Sequence, residues 1–172
     1  MKIIFIMILI LFKFSNAENI IKDNYGHLSN EELVSKMSST LQMLIVKNGG
    51  GIDTGKGEKL IGITSMRYPA TIKWLFSVDI QTYKKDLLIA LENQNLKINK
   101  NDFIKKVNSE WLLDMIKQET KKNVLIQSCT REDYRYMLNR GINLDWTYIE
   151  DRTRKIIAME FIKKGDCKLI KD

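Results

Sequence analysis

Residues 50–56, Gly50-Gly51-Ile52-Asp53-Thr54-Gly55-Lys56, place Gly50, Gly55 and Lys56 at the spacing of a phosphate-binding loop. Such a loop cradles phosphate on backbone N–H groups, and a Ser or Thr after the lysine holds Mg²⁺. Here Gly57 follows Lys56, so the metal ligand is missing. The loop also needs a strand before it and a helix after it, and this chain offers the reverse. The stretch reads as a flexible helix-to-strand connection, with Asn48 and Gly49 ending the helix. Outside the cytoplasm little ATP would be available to it.

Other chemistry is equally sparse. His27 is the only histidine. Ser-His-Asp or Cys-His catalysis would have to use it, yet it falls near the N-terminus in an unpatterned segment. A thioredoxin-like centre needs Cys-x-x-Cys, and a zinc site needs about four ligands. The chain has only Cys129 and Cys167. No catalytic residue, cofactor or metal ligand is expected. Paired carboxylates stay open as a route to hydrolysis, because any two acids can meet in space. Arg131, Tyr134 and Arg135 are the candidate binding patch: Met137 and Leu138 already serve the core of their short helix, which leaves Tyr134 to do something else. The lysine pairs at 84–85, 105–106, 121–122 and 163–164 read as solvated helix surface.

The compartment follows from the start of the chain. Lys2 precedes an unbroken apolar run from Ile3 to Phe12, and Ser15-Asn16-Ala17 supplies small residues. That is the pattern of a secretory signal peptide; the run is short for a membrane span, which takes about 20 residues. Residues 1–17 are therefore expected to be a signal peptide cleaved after Ala17, residues 18–28 a flexible leader, and residues 29–172 a single domain. Loss of Lys2 and Lys13 lowers the net charge from +7 to about +5. The expected location is periplasmic or secreted. An even cysteine count in an exported chain reads as a disulfide, here Cys129–Cys167. Nucleic-acid binding would want a denser basic patch with interleaved aromatics and is not expected. A membrane surface is a possible contact, without spanning. The composition, rich in Lys, Ile and Asn, points to a bacterial source.

The elements follow from periodicity. Ser29 and Glu32 form a capping-box pattern for a helix over 30–47. Residues 59–67 and 69–78 alternate as strands, with Ala70, Ile72, Trp74, Phe76 and Val78 on one face. Asp79 caps a helix over 80–93. A second helix starts at Asn99 or Asn101 with Phe103, Ile104, Val107, Trp111, Leu112, Met115 and Ile116 as its apolar stripe, and continues after a kink near Lys121–Asn123. Thr130 and Asp133 start a short helix over 131–140 that stops at Gly141. Two strands close the chain, one placing Leu144, Trp146 and Tyr148 on a face, the other Ile157, Met159 and Phe161, with a turn at 150–153. Trp74, Trp111 and Trp146 are expected in the core. The order predicts an α+β fold: an antiparallel sheet built from two β-hairpins, helices packed on one face, and one disulfide.

Residues 129–167 resemble a C-terminal pattern of small exported bacterial proteins, a helix–hairpin unit bounded by two cysteines. The matching residues are Cys129, Arg135, Leu138, Gly141, Trp146, Tyr148, Asp151, Asp166 and Cys167. With the first hairpin included, the resemblance covers residues 58–167. It implies an exported α+β architecture and the disulfide, and it implies no reaction. The pattern has a Gly after the turn Asp; here Arg152-Thr153-Arg154 stands there, which leaves the turn type open. The function expected is a non-enzymatic protein-binding accessory of the bacterial envelope or a secretion system, with a protein partner and an unspecified oligomeric state. The alternatives are a carboxylate-dependent hydrolase and a periplasmic inhibitor or immunity protein that would present loop 48–57 to a partner's cleft.

Overall fold

A computed structural model of the chain describes residues 25–55, 57–93 and 109–169. The expected signal peptide, most of the leader and the start of the helix placed at Asn99 or Asn101 lie outside these residues. Helix α1 spans Asn30–Lys47. The Ser29 hydroxyl accepts from the Glu32 N–H, and the Ser29 N–H donates to the Glu32 carboxylate, which closes the capping box. Tyr25 and Leu28, expected in the leader, pack against the core.

Strand β1 follows at Ile52–Gly55, β2 at Glu58–Met66 and β3 at Thr71–Val78. Helix α2 covers Ile80–Asn93, α3 Ser109–Thr130 and α4 Glu132–Asn139. Strands β4, Asn143–Glu150, and β5, Ile156–Ile162, complete the sheet, and a 3₁₀ turn over Lys164–Leu169 carries Cys167. The result is α+β: a five-stranded sheet, four helices and one disulfide among the described residues.

The sheet corrects the expectation of an antiparallel pair of hairpins. Its order is β1-β2-β3-β4-β5, and β3 runs parallel to β4 while every other pair is antiparallel. The cause is the long helical connection between β3 and β4, which returns the chain to the end where β3 began. The Gly-rich stretch also differs from a flexible connection. Gly49 and Gly50 take positive φ of 74° and 90° and turn the chain after α1. Residues 52–55 then pair with β2 as an edge strand.

One face of the sheet holds the core: Ile72, Trp74, Phe76 and Val78 from β3, Leu144, Trp146 and Tyr148 from β4. Helix α1 packs over β2 and α3 over β5. The Ser38 hydroxyl bonds Ser65 and the Gln42 side chain accepts from the Ile63 N–H, which ties α1 to its strand. Three other expectations change. Trp111 is 50% exposed, so the stripe on α3 carries less of the core than its spacing suggests. In β5 the inward residues are Ala158 and Ile162, while Met159 and Phe161 are 58% and 49% exposed, because the pairing sets Met159 beside Thr147 and Phe161 beside Asp145 on the outer face. At α4 the N-cap is Arg131 with no side-chain cap, and Thr130 instead donates to the Ile126 carbonyl.

The disulfide joins Cys129, near the end of α3, to Cys167 across a separation of 38 residues. The α4 helix, β4 and β5 all lie inside that loop.

Candidate aromatic cleft

Parallel pairing sets residues of one strand directly beside those of the next on the same face. Trp74 stands beside Trp146 and Phe76 beside Tyr148. The four rings stack in a ladder. Trp74 and Trp146 are 5.6 Å apart, Trp146 and Phe76 5.7 Å, Phe76 and Tyr148 4.8 Å, with planes within 19°. Tyr134 of α4 meets Trp74 and Trp146 edge-on at 6.1 and 5.3 Å. Each such pair contributes about 0.5–1.5 kcal/mol beyond the area it buries.

Residues of α1 and α3 flank this ladder. Between them lies a cleft of about 190 Å³ with Trp74, Phe76, Trp146 and Tyr148 in its floor. Met37 and Leu41 of α1 form one wall; Gln127 of α3 with Arg131 and Tyr134 form the other; Ile52, Leu60 and Glu58 close the β2 side. The indole N–H groups of Trp74 and Trp146 are buried and have no hydrogen-bond partner among the described residues. Leaving a buried donor unmatched costs about 1–3 kcal/mol.

A second cavity of about 220 Å³ adjoins the first and shares Thr54, Glu58, Gln127 and Tyr148 with it. Its lining is polar, with Tyr83, Glu119, Thr120 and Asn123. The Tyr83 hydroxyl donates to Glu119 at 2.6 Å. Burial raises the Tyr83 phenol above its ordinary range, and the Glu119 bond and the charges of Glu119 and Glu58 raise it further. Burial likewise raises Tyr134 and Tyr148.

The candidate binding residues separate in space. The Arg131 guanidinium donates to both oxygens of Asp133, at 3.1 and 2.6 Å, and lies 4.6 Å over the Tyr134 ring. Burial works to lower its pKa; the Asp133 bonds outweigh that and raise it. Arg131 and Tyr134 therefore belong to the cleft. Arg135 faces a separate depression beside Cys129 and Cys167. Tyr134 is buried, so it supports the floor from above and forms no exposed patch. Sequence reasoning assigned the rings of β3 and β4 to the core and did not see a cleft above them. Four aromatics on the inward faces of two strands were the available signal. His27 is exposed in the segment before α1. Among the described residues no three His, Cys, Asp or Glu side chains gather to hold a metal ion, and no helix is long and apolar enough to cross a membrane.

No family model and no curated protein matches the chain. Solved structures resemble it. A candidate secreted protein of Pseudomonas aeruginosa superposes with a TM-score of 0.49 at 15% identity, covering 80% of this chain and 96% of its own. A pilotin of the Vibrio vulnificus type 2 secretion system gives 0.47 at 13% identity, over 80% and 94%. A type II secretion pilotin of Vibrio cholerae gives 0.42 at 13%, over 80% and 95%. At these scores the neighbours' roles are not carried to this chain.

Proposed function

We propose that this chain is an exported, non-enzymatic accessory protein of the bacterial envelope or a secretion system that holds a protein partner by an apolar side chain seated in the aromatic cleft. The cleft is the observation that carries the reading. Its volume, about 190 Å³, is below the roughly 300–1,000 Å³ of sites that enclose a whole small molecule. It suits an anchor residue of a larger partner, the arrangement in which interface energy concentrates. Export is supported by the N-terminal pattern and by the disulfide, a bond that persists in oxidising compartments.

A photo-crosslinking residue placed at Leu41, on the cleft wall, tests the reading against one placed at Arg154, in the β4–β5 turn. In the envelope fraction of the source organism, Leu41 is expected to capture one discrete protein that Arg154 does not. Equal labelling from both positions, or none from Leu41, would reject the cleft as the contact.

A further inference from the structure

The sheet ends in two unlike edges. Strand β1 is four residues long, is irregular between Asp53 and Gly55, and ends in a glycine. Strand β5 spans seven residues, and among the described residues β4 is its sole strand partner. A strand paired on one side leaves the N–H and C=O groups of its other side open to a further strand. Such edges are ordinarily blunted by charged side chains, proline or a covering segment. On β5 the outer face carries Ile156, Met159 and Phe161, which are 61%, 58% and 49% exposed. Helix α3 packs over this strand, whose inward residues Ala158 and Ile162 are buried. Glu160 is the only charge within the strand, and it shares the inner face beside Trp146.

The other charges stand at the two ends. Lys155 precedes the strand, and Lys163 and Lys164 follow it. All three are exposed, and none of their side chains makes an ion pair or hydrogen bond among the described residues. The acids beyond the ends have other partners. Asp166 accepts from the Lys163 N–H, Glu150 accepts from Thr153, and Asp151 lies 4.0 Å from Arg154.

This arrangement decides between occupants. Two β5 strands pairing with each other, in either direction, set basic ends against basic ends, and like charges directly opposite are destabilising. A segment with an apolar centre and acidic ends matches open backbone with backbone, apolar side chains with Met159 and Phe161, and carboxylates with lysines. We propose that the free edge of β5 takes up such a segment of another protein as an added strand. Met159 and Phe161 lie on the face away from the cleft floor, so the proposal does not depend on what fills the cleft.

Three capped peptides test it against the full oxidised chain. The first is Asp-Glu-Val-Thr-Val-Thr-Val-Glu-Asp, and the second has the same core with lysines in place of its acids. The third is the acidic peptide N-methylated at two adjacent central residues, which blocks both of its edges. A chain of net charge +7 attracts acidic peptides over much of its surface, so amide exchange of the isotope-labelled chain is read to locate the contact. The outward-pointing β5 amides are expected to exchange fast in the free chain and at least about tenfold slower with the acidic peptide at saturation. That peptide is expected to bind about tenfold tighter than the lysine one, the scale of a few screened ion pairs. The methylated copy is expected to give no protection. Lys155→Gln with Lys163→Gln is expected to reduce the preference for acids several-fold. Binding that leaves β5 exchange unchanged, equal protection by the methylated copy, or no binding by any of the three would overturn the proposal. Equal binding of the acidic and lysine peptides would overturn it too, by removing the charge match that chose the occupant. A dimer of the free chain in light scattering that protects these same amides would give the edge to a second copy and overturn it as well.

Discussion

Replacing Cys129 and Cys167 together by Ser opens the loop that contains α4, β4 and β5. In the chain-entropy account, a cross-link over a separation of 38 residues removes about 13 cal/mol/K from the unfolded ensemble, or about 4 kcal/mol at room temperature. Whole domains are stable by about 5–15 kcal/mol, so the loss is a large share of the total. The assay is urea unfolding followed by tryptophan fluorescence. With a slope of about 2 kcal/mol per molar, the midpoint is expected to fall by about 2 M. An Ala/Ala double variant run alongside separates packing from connectivity, since Cys167 is only partly buried against the core. Both variants should lose the same amount. A midpoint shift below about 0.5 M in either variant would refute the loop-closure reasoning. A large difference between them would show that the sulfur atoms act by packing. Because β4 supplies Trp146 and Tyr148 to the cleft floor, capture of a partner through Leu41 near the new midpoint should fall with the folded fraction and no faster.

Other perturbations have narrower readouts. Arg154 holds a left-handed φ of 59°, a conformation that costs a side-chain-bearing residue about 1–2 kcal/mol; Arg154→Gly is expected to raise the urea midpoint slightly, offset in part by the entropy of glycine. Leu144→Ala removes a fully buried side chain from β4 and should cost about 2–5 kcal/mol by calorimetric unfolding. Tyr83, Tyr134 and Tyr148 all have phenol pKa values raised in the folded state. The folded chain then binds more protons than the unfolded chain above pH about 10, so stability is fully present below that pH and falls as pH rises further. Ultraviolet titration should show these three phenols ionising last and together with unfolding; their ionisation before unfolding would contradict their burial.

How much of this was readable beforehand divides along a physical line. Helix α1 was legible because its start is a local code: Ser29 and Glu32 meet within one turn, and Asn48 ends it. The inward faces of β3 and β4 were legible because alternation is a property of a single strand. The disulfide was legible from two cysteines and a leader-like N-terminus. The neighbours within each hairpin, β2 with β3 and β4 with β5, were also legible; what failed were properties set by register and by how segments distant in the chain lie together. Met159 and Phe161 are an apolar pair at strand spacing, yet pairing with Thr147 and Asp145 turns them outward. Trp111 sits at helical spacing with Leu112 and Met115, yet stands half in solvent. Most consequentially, the direction of β4 against β3 has no local signature. An antiparallel joint in the same order would set Trp74 opposite a different β4 position, and the ring ladder would not form as a row. The candidate site is thus a product of strand direction. Its residues could be named one by one from the sequence as core aromatics, but their convergence in one floor belongs to the topology.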